Sequence, residues 1–204
     1  MIPASLVKEL RQRTGAGMMD CKRALEAAGG DLEKAIDHLR ASGIAKAEKK
    51  SHRDTGDGVV LSYIHPGSKL GVLIEVNCET DFMAKTESFQ SFVKDIAMHI
   101  AAAAPMVVQR EDMSPDVLEH EKGIFAEQAR QAGKPDHILE KIIAGKVDKF
   151  ISENVLLEQG FVKDPQRTIG DYVKEVIAKM GENISIARFS RFQLGETDPL
   201  NSGA

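Results

Sequence analysis

Few residues in this chain are typed and spaced for chemistry. The six histidines, His38, His52, His65, His99, His120 and His137, include no His-x-x-x-His pair, and Cys21 and Cys78 form no Cys-x-x-Cys. No Gly-x-x-x-x-Gly-Lys-Ser/Thr loop is present to cradle phosphates, and Gly15-Ala16-Gly17 is a lone GxG that reads as a turn between helices. His65 and Cys78 could meet across a hairpin as a thiol or metal pair, or be ordinary strand neighbours. This inventory predicts no catalytic residue, no bound metal and no cofactor. The remaining oddity is Thr80-Asp81-Phe82-Met83, where a carboxylate directly precedes a large apolar ring. Two readings are open. Thr80 or Asp81 caps a helix and Phe82 folds back as its apolar staple, or the ring is a wedge for a partner's pocket, with the carboxylate acting on a charged site beside it.

The elements that must position these residues follow from periodicity. Leu6, Val7 and Leu10, then Cys21, Ala24, Leu25 and Ala28, then Leu32, Ala35, Ile36 and Leu39 mark three short helices. Glycines punctuate them, and Asp31 is placed to cap the third. From Ala45 to Gly58 the sequence AKAEKKSHRDTGDG is polar and aperiodic, as expected of a linker. Its lysines suggest either a nucleic-acid contact or a solvated helix end. Period two then takes over in Val59–His65 and Leu70–Cys78, joined by Pro66-Gly67-Ser68-Lys69. Val72, Ile74, Val76 and Cys78 share one face of the second run, which makes Cys78 a buried, unreactive thiol.

A long amphipathic helix follows, carrying Phe89, Phe92, Val93, Ile96, Ala97, Ile100 and Ala101 on one stripe and stopping at Ala104-Pro105. Ser114-Pro115 starts another helix, and Gly133-Lys134-Pro135 separates it from a further one. Val155-Leu156-Leu157 is a short apolar run, Ile169 to Val176 a last helix, and Ile184 to Phe192 a last strand. The segregated order predicts an α+β fold: a three-helix domain over residues 1–45, a linker over 46–57, a core with a small antiparallel sheet over 58–194, and a frayed tail over 195–204.

Composition excludes more than it assigns. Hydrophobic residues at 42% and charged residues at 28% fit a folded globular chain. A net charge of -4 argues against general attraction to nucleic acid or an anionic membrane surface. Aromatics at 5% without tryptophan disfavour a stacking platform for single strands. No run approaches the roughly 18 apolar residues of a membrane span. With no signal-peptide core at the start and reduced cysteines, the expected location is cytoplasmic.

Several blocks resemble the elongation factor Ts family. EVNCETDFMA is similar to its signature, and LVKELRQRTGAGMMDCKRALEAAGGDLEKAIDHLR resembles its ubiquitin-associated-type three-helix domain. GKVDKFISENVLLEQGFVKD and ISIARFSRFQLGE also match, in the same order. Met83 stands where the family commonly has valine, and Gly160 where it commonly has proline. The resemblance implies guanine nucleotide exchange on elongation factor Tu without covalent chemistry. Thr80, Asp81, Phe82 and Met83 would enter the GTPase and dislodge its Mg²⁺. Val7, Arg11, Thr14, Gly15, Gly17, Met18 and Met19 would supply a second contact. It also implies the short form, with a single core that pairs with a second copy. The competing expectations are an adaptor that binds another partner through the helical bundle, and a thiol or metal enzyme at Cys78 and His65.

Overall fold

Residues 2–133 and 135–196 are described by the computed structural model, apart from the side chains at 136 and 137. Most of the expected tail, residues 197–204, lies outside them. Three helices open the chain: α1 (Ala4–Thr14), α2 (Met18–Ala27) and α3 (Leu32–Glu48). Their stripes close on one another, burying Val7, Leu10, Cys21, Ala24, Leu25 and Ala35. The Asp31 carboxylate accepts the Lys34 N–H at 3.1 Å and so caps α3. That helix continues to Glu48, past the change of composition at Ala45.

Strands β1 (Asp57–Ile64) and β2 (Leu70–Cys78) form the expected hairpin, closed where the His65 N–H reaches the Leu70 carbonyl. With β5 (Ile184–Gln193) they make a three-stranded antiparallel sheet in the order β1-β2-β5. Val72, Ile74, Val76 and Cys78 are all buried, as their alternation requires. Between β2 and β5 lie α4 (Asp81–Ala84), α5 (Glu87–Ala103), α6 (Pro115–Gln131), α7 (Asp136–Asn154), a small hairpin of β3 (Gly160–Phe161) and β4 (Asp164–Thr168), and α8 (Ile169–Met180). The fold is α+β.

The chain divides into two compact units that both draw on the sheet strands and α5. One comprises Met1–Val59, Val76–Phe92 and Asp171–Ser185. Within it α3 lies against α8: a Cβ at Gly43 would stand 3.3 Å from that of Ala178, so only a small residue fits there. Arg40 reaches Asp171 at 3.2 Å beside this approach. Phe92 meets Tyr172 edge-on at 5.3 Å.

The other unit comprises Val60–Glu75, Val93–Gly170 and Ile186–Ala204. There α6 and α7 pack around Met113, Val147, Ile151 and Val155, with Pro115 at the first position of α6. Arg110 grips Glu158 with two nitrogens at 2.8 Å each.

Burial also isolates a histidine in this second unit. His99 is fully buried on α5, and its Nδ1 accepts the Val162 N–H at 3.3 Å. The ring proton therefore sits on Nε2, which donates to Gln159 Oε1 at 2.9 Å. Gln159 in turn donates to the Glu153 carbonyl at 2.7 Å, which fixes its amide orientation. Burial lowers the His99 pKa from its ordinary 6.5, with Gln159 opposing only in part. Because the folded value lies below the unfolded one, this stabilisation is complete above about pH 6.5 and is lost as the pH falls below it. His99→Leu should lose roughly 1–3 kcal/mol at pH 7.5 by orphaning the Val162 N–H and Gln159 Oε1. Its urea midpoint should then fall less between pH 7.5 and 5.5 than that of the parent. Equal falls in both proteins would remove His99 as the titrating group.

Candidate functional site

Strand β2 ends at Cys78, whose buried thiol donates to the Thr80 carbonyl at 3.2 Å. Burial raises its pKa, so the thiol is neutral and unreactive. Thr80 is still extended, at φ -135 and ψ 150, and its Oγ1 accepts the Met83 N–H at 3.2 Å. That bond caps α4, a helix of four residues, too short to persist through its own hydrogen bonds. Side chains that follow hold its far end. Thr86 Oγ1 donates to the Met83 carbonyl at 2.8 Å, and Gln90 Nε2 to the Ala84 carbonyl at 2.7 Å. Ala84 is buried beneath and Met83 is half-buried.

Phe82 is 78% exposed, the highest value among the large apolar side chains of the described residues. The two sequence-level readings therefore divide: Thr80 does cap a helix, while Phe82 does not fold back as a staple. Asp81 is exposed beside it and binds Lys85 Nζ at 2.6 Å. The Lys85 ammonium holds the Asp81 carboxyl below its ordinary range, so it is ionised at neutral pH. An exposed pair of this kind is weak and a partner can take over either charge.

A second segment braces this tip. The Thr80 N–H donates to Glu182 Oε2 at 3.0 Å and its hydroxyl to Glu182 Oε1 at 2.8 Å. In the opposite sense, Glu79 Oε1 accepts the Asn183 N–H at 2.6 Å, the main reason its carboxyl lies low. Asn183 is buried and spans to the Arg53 carbonyl at 2.8 Å. Sequence reasoning misses Glu182 entirely, because it stands 102 positions from Thr80 and no local pattern marks it.

The α1–α2 turn belongs to the same compact unit as the tip. Gly15 closes α1 at φ +68 with its N–H on the Arg11 carbonyl. A Cβ there would meet the Lys179 side chain at 2.8 Å. Thr14 Oγ1 bonds back to the Leu10 carbonyl and accepts the Ala16 N–H, and Gly17 precedes α2. Met18 and Met19 are 50% and 63% exposed, so neither is in the core. Arg11 is exposed as well, but Val7 is a core residue, and anything it lends a partner passes through the bundle.

The other candidate pair, His65 and Cys78, is split by burial, Cys78 being buried and His65 exposed. The His65 ring is exposed and shares Nδ1 with the Tyr63 hydroxyl at 3.0 Å. Among the described residues no group of three or more His, Cys, Asp or Glu could hold a metal ion. None of their helices is long and apolar enough to cross a membrane.

The family profile described as Elongation factor TS matches residues 44–196, which include the tip and its brace. An elongation factor Ts from Geotalea uraniireducens is 60% identical over 195 residues, covering 96% of this chain and 90% of that protein. One from Thermosipho melanesiensis is 57% identical over 196 residues, covering 96% of this chain and all of its own length. One from Desulfosudis oleivorans is 55% identical, with 96% and 98% covered. Agreement of this extent takes in both the exposed tip and the helical bundle: the chain belongs to the elongation factor Ts family.

Proposed function

We propose that the chain is a guanine nucleotide exchange factor for elongation factor Tu, working through Thr80-Asp81-Phe82-Met83. The observation that carries this reading is the exposure of Phe82 on a short helix capped at one end and tied down at the other. GDP on such a GTPase is held by backbone amides and a lysine around its phosphates, with Mg²⁺ bridging protein and phosphate. A ring driven between packed elements opens that cradle, and the carboxylate beside it competes for the polar network around Mg²⁺. Both actions weaken GDP, and no bond is made or broken.

Two further surfaces support the reading. Met18, Met19 and Arg11 offer an adaptable second contact, as exposed methionines do. Ile64, Leu73, Phe192 and Leu194 line a shallow depression on the outer sheet face, each at least half exposed. Apolar surface of that kind suits pairing of the core with a second copy.

Phe82→Ala should leave the unfolding midpoint unchanged and slow stimulated release of labelled GDP by about tenfold or more, as befits a central interface anchor. Stopped-flow rates equal to the parent's would end the wedge reading. Asp81→Asn should also slow release, but the defect should vanish once Mg²⁺ is chelated, while that of Phe82→Ala persists. A Mg²⁺-independent Asp81 defect would reject the division of labour. For the outer sheet face, Phe192→Asp should move sedimentation from dimer towards monomer at micromolar concentration. A parent protein that sediments as monomer throughout would dismiss the pairing.

A further inference from the structure

A helix of four residues presenting a bare aromatic ring has no rigidity of its own. Its far end is tied by Thr86 and Gln90, which lie close by in sequence. The near end depends on a side chain from another part of the chain. Glu182 takes both the N–H and the hydroxyl proton of Thr80, at 3.0 and 2.8 Å. By accepting that hydroxyl proton, the carboxylate turns the lone pairs of Thr80 Oγ1 towards the Met83 N–H at 3.2 Å. Bonds in such a chain polarise one another, and those to a carboxylate are the stronger kind. The cap of α4 is thus set through Glu182.

Glu182 is itself well placed to serve as a fixed point. It lies between Gly181, which leaves α8 at φ +86 and whose carbonyl accepts Lys50 Nζ, and Asn183, which is buried. The Asn183 N–H is bound by Glu79 and its side chain by the Arg53 carbonyl. Glu79-Thr80 and Glu182-Asn183 therefore clasp each other reciprocally, each pair supplying one carboxylate and one backbone N–H to the other.

We propose that Glu182 is a positioning residue for nucleotide exchange: its carboxylate holds Thr80 so that Phe82 is presented to the GTPase already ordered. This rests on the reading of the tip as the exchange wedge. Without the clasp the tip samples many conformations, and only the binding-competent fraction engages. Glu182→Ala should lower the second-order rate of stimulated GDP release by about tenfold, because charge-assisted bonds exposed to solvent, as these two are, contribute much less than buried ones. Glu182→Gln keeps one acceptor oxygen and should fall between that variant and the parent.

The decisive readout is a double-mutant cycle. If Glu182 acts through the ring, Glu182→Ala in the Phe82→Ala background should change the rate by less than about twofold, whereas independent effects multiply. Hydrogen exchange at the Thr80 and Met83 amides should speed up in Glu182→Ala while the amides of β2 stay protected. Multiplying effects, or a Glu182→Ala protein at the parent rate when Phe82→Ala is slow, would overturn the proposal. Should Glu182→Ala fail to fold, the same cycle run with Glu182→Gln decides by the same criterion. If Phe82→Ala itself releases GDP at the parent rate, the wedge reading falls. The clasp is then judged by amide exchange alone: faster exchange supports it and unchanged exchange refutes it.

Discussion

A ring proposed to enter a partner must be held in water without collapsing onto its own core, and the region around Phe82 meets that constraint. Seven residues on, Phe89 is fully buried, so the same chain treats two phenylalanines in opposite ways. The difference lies in the backbone between them. Ala84 goes inward, Thr80 and Thr86 satisfy the orphan groups at the ends of α4, and Gln90 takes the Ala84 carbonyl. With these groups occupied, the short helix cannot easily rotate to bury its ring. Exposure of Phe82 is thus bought with polar contacts.

The compact unit that carries the tip also carries the α1–α2 turn, and one stretch of α8 and its exit touches both. Lys179 lies over Gly15, the Gly181 carbonyl receives Lys50, Glu182 holds Thr80 and the Asn183 side chain donates to the Arg53 carbonyl. Small residues make the approach possible: Gly43 faces Ala178, and Gly15 leaves room for the lysine stem. Two patches with the chemistry of contact surfaces, one aromatic and one methionine-rich, are therefore built on a common framework. Relative placement matters for any partner that must engage both, because a second contact adds only when its geometry is already met.

Much of this was readable from residue patterns. Alternation at Val72, Ile74, Val76 and Cys78, the stripe from Phe89 to Ala101, the cap at Asp31 and the helix start at Pro115 are local signals, and each appears where its periodicity or turn chemistry requires. The β3–β4 hairpin was not readable, since Asp164–Thr168 contains Pro165 and charged residues with no period of two. Glu182 was equally hidden, because a carboxylate that clasps an amide 102 positions away leaves no trace in either neighbourhood. At the tip the residue types supported both a cap and a wedge. They are not exclusive: the cap uses Thr80 and the Met83 N–H, leaving the ring of Phe82 outside.

For the proposed exchange role, rigidity at the tip is a thermodynamic matter as much as a structural one. A factor that lowers GDP affinity by some ratio has its own affinity lowered by GDP in the same ratio. Its useful binding energy is therefore whatever it gains on the nucleotide-free GTPase beyond what it gains on the GDP form. Conformational entropy lost by a floppy tip on engagement would be subtracted from that difference. Pre-ordering Phe82 through Thr80 and Glu182 removes the loss before the partner arrives, without adding contact area. An exposed Asp81–Lys85 pair works in the same direction, since the carboxylate is ionised and weakly held. It can exchange a solvent-screened partner for a new one at little penalty, whereas a buried pair would have to be broken first. Order in the ring and looseness in the charge are thus complementary requirements of one surface.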